Sequence, residues 1–257
     1  MKACLTALYL CGASLVFQGL AAEPSEAGRK FFLETKAKAE KGDATAQNSL
    51  GFMHQYGEGV VKDEAEAAKW YRKAAEQGNA SAQFSLGACY YQGRGVMKDY
   101  VEMVRWYRKA AEQNDTGAQT ALGFCYAEGE GVVKDEAEAM RWYRKAAGQG
   151  DAIAQSNLGF NYANGNSVVK DEAEAAKWYR KAADQGDAYA QSNLGFLYAN
   201  GQGVVKDEAE AYKWWLLAGA QGNEQAKKNI SFIEGNITPA HRTEGQRRAR
   251  EWKPRKP

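Results

Sequence analysis

Ser167-Val168-Val169-Lys170 places an amine three residues after a hydroxyl. At a helix start that spacing sets lysine one turn above serine, where it can take the proton of an acylating serine. Elsewhere in the chain the same string reads Gly-Val-Val-Lys, at Gly59–Lys62, Gly131–Lys134 and Gly203–Lys206. The serine is therefore expected in a loop between helices, and no Lys-Thr-Gly or Ser-Asp-Asn accompanies it. His54 and His241, the two histidines, stand near opposite ends of the chain and cannot share a hydroxyl–imidazole–carboxylate site. The four cysteines include no Cys-x-x-Cys pair, and no histidine cluster accompanies them, so a metal site is not expected. No glycine-rich loop ends in Lys-Ser or Lys-Thr, the pattern that cradles phosphate. We expect no catalytic residue, cofactor or metal.

The elements that carry these residues recur. Gln47, Gln83, Gln119, Gln155 and Gln191 are spaced by 36, as are Leu50 to Leu194 and Trp70 to Trp214. A fixed period of this size means a solenoid, in which each unit packs mainly on its neighbours. Asp43 caps Ala-rich helical sequence, and Ala46, Leu50 and His54 share a face. Gly57 ends that helix. Asp63 with Glu66 opens a second helix in a capping-box pattern. Ala67, Trp70, Tyr71 and Ala74 form its buried stripe. Each unit is thus a helical hairpin whose aromatics fill the space between neighbouring hairpins. We expect an all-α, right-handed α-solenoid of five 36-residue helix-turn-helix repeats, at 43–78, 79–114, 115–150, 151–186 and 187–222. A capping helix over 23–42 precedes them, and capping helices with a basic tail over 223–257 follow, Thr238-Pro239 opening the last helix.

Residues 1–22 read as a secretory signal peptide: Lys2, an uncharged run from Ala3 to Leu20, then Ala21-Ala22. This predicts a periplasmic or secreted protein. The competing reading is a retained anchor, since the run borders on spanning length. Of 257 residues, 34 are Lys or Arg and 32 Asp or Glu, which excludes a strongly basic nucleic-acid binder. The tail from His241 to Pro257 is locally basic, and a weak contact with an anionic envelope surface is a further expectation. Oligomeric state is not legible.

Residues 187–222 carry the string Ala-x-Ala-Gln-x-x-Leu-Gly-x-x-Tyr-x-x-Gly-x-Gly-Val-x-Lys-Asp followed by Glu-Ala-x-x-Trp. This resembles the Sel-1-like repeat family, relatives of the tetratricopeptide repeats. The resemblance implies stacked antiparallel helix pairs and a protein-interaction scaffold, in bacteria often secreted or periplasmic. Cys-rich members of the family have been linked to β-lactam binding and hydrolysis. An enzyme of that kind is the alternative, against which stand the missing paired cysteines and general base. Cys89 and Cys125 hold the same place in adjacent repeats, beside buried leucines. Neighbouring helices lie roughly 8–10 Å apart and a disulfide needs Cα atoms within about 7 Å, so both thiols are expected free and buried.

The likeness to tetratricopeptide hairpins also implies that first helices line a concave groove. Two residues after each buried leucine stand Phe52, Ala88, Phe124, Phe160 and Phe196. Phe84, one turn before Ala88, is expected to restore the series. Thr45, Asn48, Thr120, Ser156, Ser192 and Tyr189 should flank the rings. Such a stripe suits an extended or helical peptide, so a polypeptide partner is the expectation; the competing reading is that the phenylalanines are core.

Overall fold

The computed structural model describes residues 25–255, so the expected leader over 1–22 lies outside the described residues. Thirteen helices and no strand occur among them. Two compact units divide at Asp115–Thr116. Unit one holds α1 (Glu26–Glu40), α2 (Ala44–Tyr56), α3 (Glu64–Glu76), α4 (Ala80–Gln92) and α5 (Tyr100–Glu112). Unit two holds α6 (Thr116–Glu128), α7 (Glu136–Gly148), α8 (Ala152–Asn164), α9 (Glu172–Asp184), α10 (Ala188–Asn200), α11 (Glu208–Ala220), α12 (Glu224–Ile233) and α13 (Pro239–Glu251). Within each unit the repeat helices form hairpins that stack in chain order, and in unit two α13 folds back onto α11. No helix of the described residues is long and apolar enough to cross a membrane.

Local chemistry sets the helix ends. Asp43, Asn79, Asp151 and Asp187 each accept the N–H three residues on, which caps the first helices. Asp63, Asp99, Asp135, Asp171 and Asp207 do the same for the second helices. The backbone N–H of each of these five also donates to the first helix, as Asp63 does to the His54 carbonyl at 2.8 Å. One residue thereby fixes both the cap and the return of the hairpin. Thr238 caps α13, with Pro239 in its first turn.

The two aromatics of each second helix have separate tasks. Tyr71 packs on its own first helix and also reaches the next hairpin, where it meets Ser85. A Cβ on Gly51 would sit 2.6 Å from the Tyr71 ring, and one on Gly159 would sit 2.7 Å from that of Tyr179. Only glycine lets the ring lie against the first helix. Trp70 faces the preceding element, packing with Ala39, Ala46, Leu50 and Phe32.

A buried glutamine joins each repeat to the element before it and is itself held by a second glutamine of its own repeat. The Gln191 amide donates to the Ala183 carbonyl of α9 at 3.1 Å, and its Oε1 accepts from Gln221 Nε2 at 2.9 Å. Gln47, Gln83 and Gln155 make the same two bonds. These glutamines are buried, so their bonds satisfy groups that would otherwise be left unpaired.

Candidate functional site

Leu50 and Leu194 are fully buried, yet Phe52 and Phe196, two residues on, are 44% and 50% exposed. Two residues turn a helix by about 200°, which carries the ring to the opposite side. In unit one the Phe52 ring stands 4.5 Å from that of Tyr56, also exposed. In unit two Phe124 and Phe160 are half-buried. Phe160 meets Tyr189 at 6.5 Å, and Tyr189 meets Tyr179 at 6.4 Å. Helices α8 and α10 also touch directly. Phe160, Tyr189 and Phe196 are therefore brought onto neighbouring first helices.

Phe84 does not extend the exposed series. It packs at 5.4 Å against Tyr107 of its own hairpin. Its place in the repeat is that of Thr120, Ser156 and Ser192, and these three are not surface groups beside the rings. All three are buried, at 5% exposure or less. Thr120 donates to the Asp151 carboxylate at 3.0 Å, and Ser156 to that of Asp187 at 3.0 Å. The hydroxyls thus pin one repeat to the cap of the next. Burial pushes the Asp187 carboxyl up, opposed by the Ala190 N–H and the Ser156 hydroxyl. Asn48, in the equivalent place, keeps a buried Oδ1 with no partner. Thr45 is exposed, and its carbonyl accepts from Ser49.

The polar neighbours of the rings in unit two are carboxamides instead. Asn161 and Asn164 donate to the carbonyls of Asn157 and Phe160, at 2.7 and 2.8 Å. Asn193 and Asn200 donate likewise to Tyr189 and Phe196. Their spacing at i, i+4 and at 36 residues was available in the sequence as a signal. Val61, Met97, Val133, Val169 and Val205 are also almost fully exposed. Each stands alone in its loop, and singly scattered apolar side chains are ordinary surface.

The other reactive groups are used internally. Ser167 sits in a turn at φ 54, where the four other repeats of the chain place glycine near φ 70. Its hydroxyl donates to Glu136 at 3.2 Å, and Lys170 pairs with Glu172 at 2.8 Å. Neither lies at the start of a helix, so lysine is not one turn above serine. His54 packs edge-on to Phe32 at 5.6 Å, and burial lowers its pKa. Cys89 and Cys125 are free and buried, and burial raises their thiols to about 11 and about 12. Among the described residues no group of three or more His, Cys, Asp or Glu side chains is placed to hold a metal ion.

The arginines of the tail meet carboxylates of their own unit, for a reason the net charge did not reveal. Arg248 bridges Asp207, Glu210 and Glu244 at 2.9, 3.0 and 2.7 Å. Arg247 and Arg248 hold Glu244 down to about 2. Arg242 pairs with Glu234, Arg255 with Asp184, and His241 with Glu208. An open cleft of about 740 Å³ lies between α13 and the loop before α11, and this network lines it. The tail charge is thus largely spent within the fold, which weakens the expected contact with an anionic surface.

Comparison with known proteins agrees with this architecture. The Sel1 repeat model matches residues 44–79, 80–115, 116–151, 152–187 and 188–223. A Sel1 repeat protein of Oxalobacter formigenes is 40% identical over 88% of this chain and 93% of its own, with TM-score 0.76. A protective antigen of uropathogenic Escherichia coli strains, described as displaying an SLR fold, is 33% identical over 86% of this chain and 56% of its own, with TM-score 0.69. A Klebsiella pneumoniae protein at 21% identity and TM-score 0.50 shares the fold alone. No curated protein matches the chain. Five matched repeats, their caps and their glutamine bonds place it: the chain belongs to the Sel1 repeat family.

Proposed function

We propose that the protein is a polypeptide-binding adaptor whose contact surface is the ring-and-carboxamide face of its first helices. Sel1 repeat proteins generally mediate protein–protein interaction, and that much comes with the family. The observation that carries the finer reading is Phe196, half exposed beside a fully buried leucine that already fills the core position. Phe160, Tyr189, Asn157 and Asn193 supply further rings and amide groups on the same two helices. Rings fill the gaps between peptide side chains, and carboxamides bond a peptide backbone. The composition of the first 22 residues supports action in the periplasm or outside the cell. The turn geometry at Ser167 offers the β-lactam reading no support.

The test compares wild type with Phe160→Ala/Phe196→Ala in crosslinked capture from native envelope, followed by titration of the captured partner. A desolvated anchoring ring is worth about 2 kcal/mol, so the pair should weaken binding by roughly a thousandfold. Helix content and Tm should change little. Unaltered binding, or a sharp fall in Tm, would make the rings core and place the contact elsewhere. On cell fractionation the protein should appear in the periplasmic or extracellular fraction with Ala22 or Glu23 as its first residue; a cytoplasmic protein that keeps Met1 would overturn the compartment.

A further inference from the structure

Helix α13 ends at Glu251, and Trp252 turns extended, with φ −68 and ψ 139. Pro254 disfavours helix for the residue before it, so the chain leaves α13 as an open strand of residues. That segment lies on second helices of repeats four and five. The Trp252 ring meets Trp214 of α11 edge-on, with centroids 6.3 Å apart. A Cβ on Gly186 would be 3.8 Å from the same indole, in ordinary contact. Three residues on, the Arg255 N–H donates to the Asp184 carbonyl at 2.7 Å, and its guanidinium stands 3.8 Å from the Asp184 carboxylate. Asp184 is the last residue of α9, and a helix C-terminus attracts a cation and presents unpaired carbonyls.

The fifth repeat is built to receive this segment. In repeats one to four, the lysine three residues after the tryptophan lays its ammonium over the ring. Lys73, Lys109, Lys145 and Lys181 stand 3.9, 4.7, 4.1 and 4.1 Å from the centroids. The fifth repeat has Leu217 there, and Leu217 and Trp252 pack against the cluster that holds Trp214. The hold is slight, however. Beyond the ring contact, the backbone bond and the long ion pair, Lys253, Pro254 and Arg255 are exposed. The indole N–H of Trp214 is buried with no hydrogen-bond partner, as is that of Trp142.

We propose that this slot is a docking site for an extended basic peptide with tryptophan followed three residues later by arginine. The chain's own tail occupies it in cis, and a partner segment of that chemistry displaces the tail. The slot is made by α9 and α11, whereas the ring face lies on α8 and α10, so the two sites fail or succeed separately.

The probe is a fluorescein-labelled synthetic peptide with the sequence of residues 251–257, titrated into the full chain by anisotropy. Trp252→Ala, which empties the slot, should bind the peptide at least tenfold tighter than wild type. Adding Asp184→Lys should abolish that gain, as should a peptide with alanine in place of its tryptophan. Equal affinity of wild type and Trp252→Ala, or binding indifferent to Asp184→Lys, overturns the proposal. If Trp252→Ala loses helix content, Arg255→Glu loosens the tail while leaving the ring in place. It must then raise peptide affinity above wild type, and no rise overturns the proposal equally.

Discussion

Gln191 gives the most discriminating test of how the repeats are joined. It is fully buried and makes two side-chain bonds, to the Ala183 carbonyl and from the Gln221 amide. Each such bond contributes about 1 kcal/mol net, because folding trades it for water. Gln191→Leu keeps the volume and removes both. The partners are not orphaned: Ala183 still accepts from the Gly186 N–H at 3.0 Å, and the Gln221 amide can turn to water. The expected cost is about 2 kcal/mol. Gln221→Ala breaks only one of these bonds yet leaves Gln191 Oε1 buried without its donor, which costs about 1–3 kcal/mol. Both mutations together should therefore cost no more than Gln191→Leu alone. That is a coupling of about 1–3 kcal/mol between groups 30 residues apart. A repeat array need not unfold in one step, so urea curves should be paired with hydrogen exchange of amides in α9 to α11. Strictly additive losses, or a Gln191→Leu protein as stable as wild type, would refute the reasoning.

Gly159→Ala places a methyl 2.7 Å from the Tyr179 ring and should cost about 1–3 kcal/mol in urea denaturation, with partial rescue by Tyr179→Leu. Burial raises the Asp187 carboxyl, so the folded state binds the extra proton and stability falls as pH rises from the ordinary carboxylate range through the raised value. Asp187→Asn should remove that slope and keep the cap, since Asn79 already caps α4; Tm measured between pH 3 and 7 checks it. With thiols at about 11 and about 12, Cys89 and Cys125 should resist iodoacetamide at pH 8 in the native protein. Both should alkylate rapidly in urea, which mass spectrometry would register.

The helices, their caps and the return of each hairpin were legible because each depends on residues within one period. Asp43, Gly57 and Asp63 announce their tasks from composition and spacing alone. The directions of groups at the flank of a stripe were not. Ser156 and Asn157 are adjacent, and both lie within one turn of Phe160, yet Ser156 points to the Asp187 cap and Asn157 to the surface side. Which flank meets the next repeat depends on how hairpins are tilted, and no single repeat encodes that. The contact of Tyr71 with its own hairpin was missed for the same reason: that partner is the bare backbone of Gly51, and an absent side chain leaves no mark in a hydrophobic pattern. The tail was hardest, since Arg248 and Trp252 find partners 38 and more residues away with no periodic counterpart.

The bonds between repeats bear on how such a gene can grow. Gln155 reaches Ala147 as Gln191 reaches Ala183, and Ser156 reaches Asp187 as Thr120 reaches Asp151. Tandem duplication of the 36 codons of repeat four would therefore recreate both joints unchanged. A slip of one codon would rotate the following helix by about 100° and destroy them. Repeat five is not interchangeable in this way, because Leu217 and Trp214 are matched to Trp252. Recombination can thus lengthen the array from within, while the last repeat stays tied to its tail.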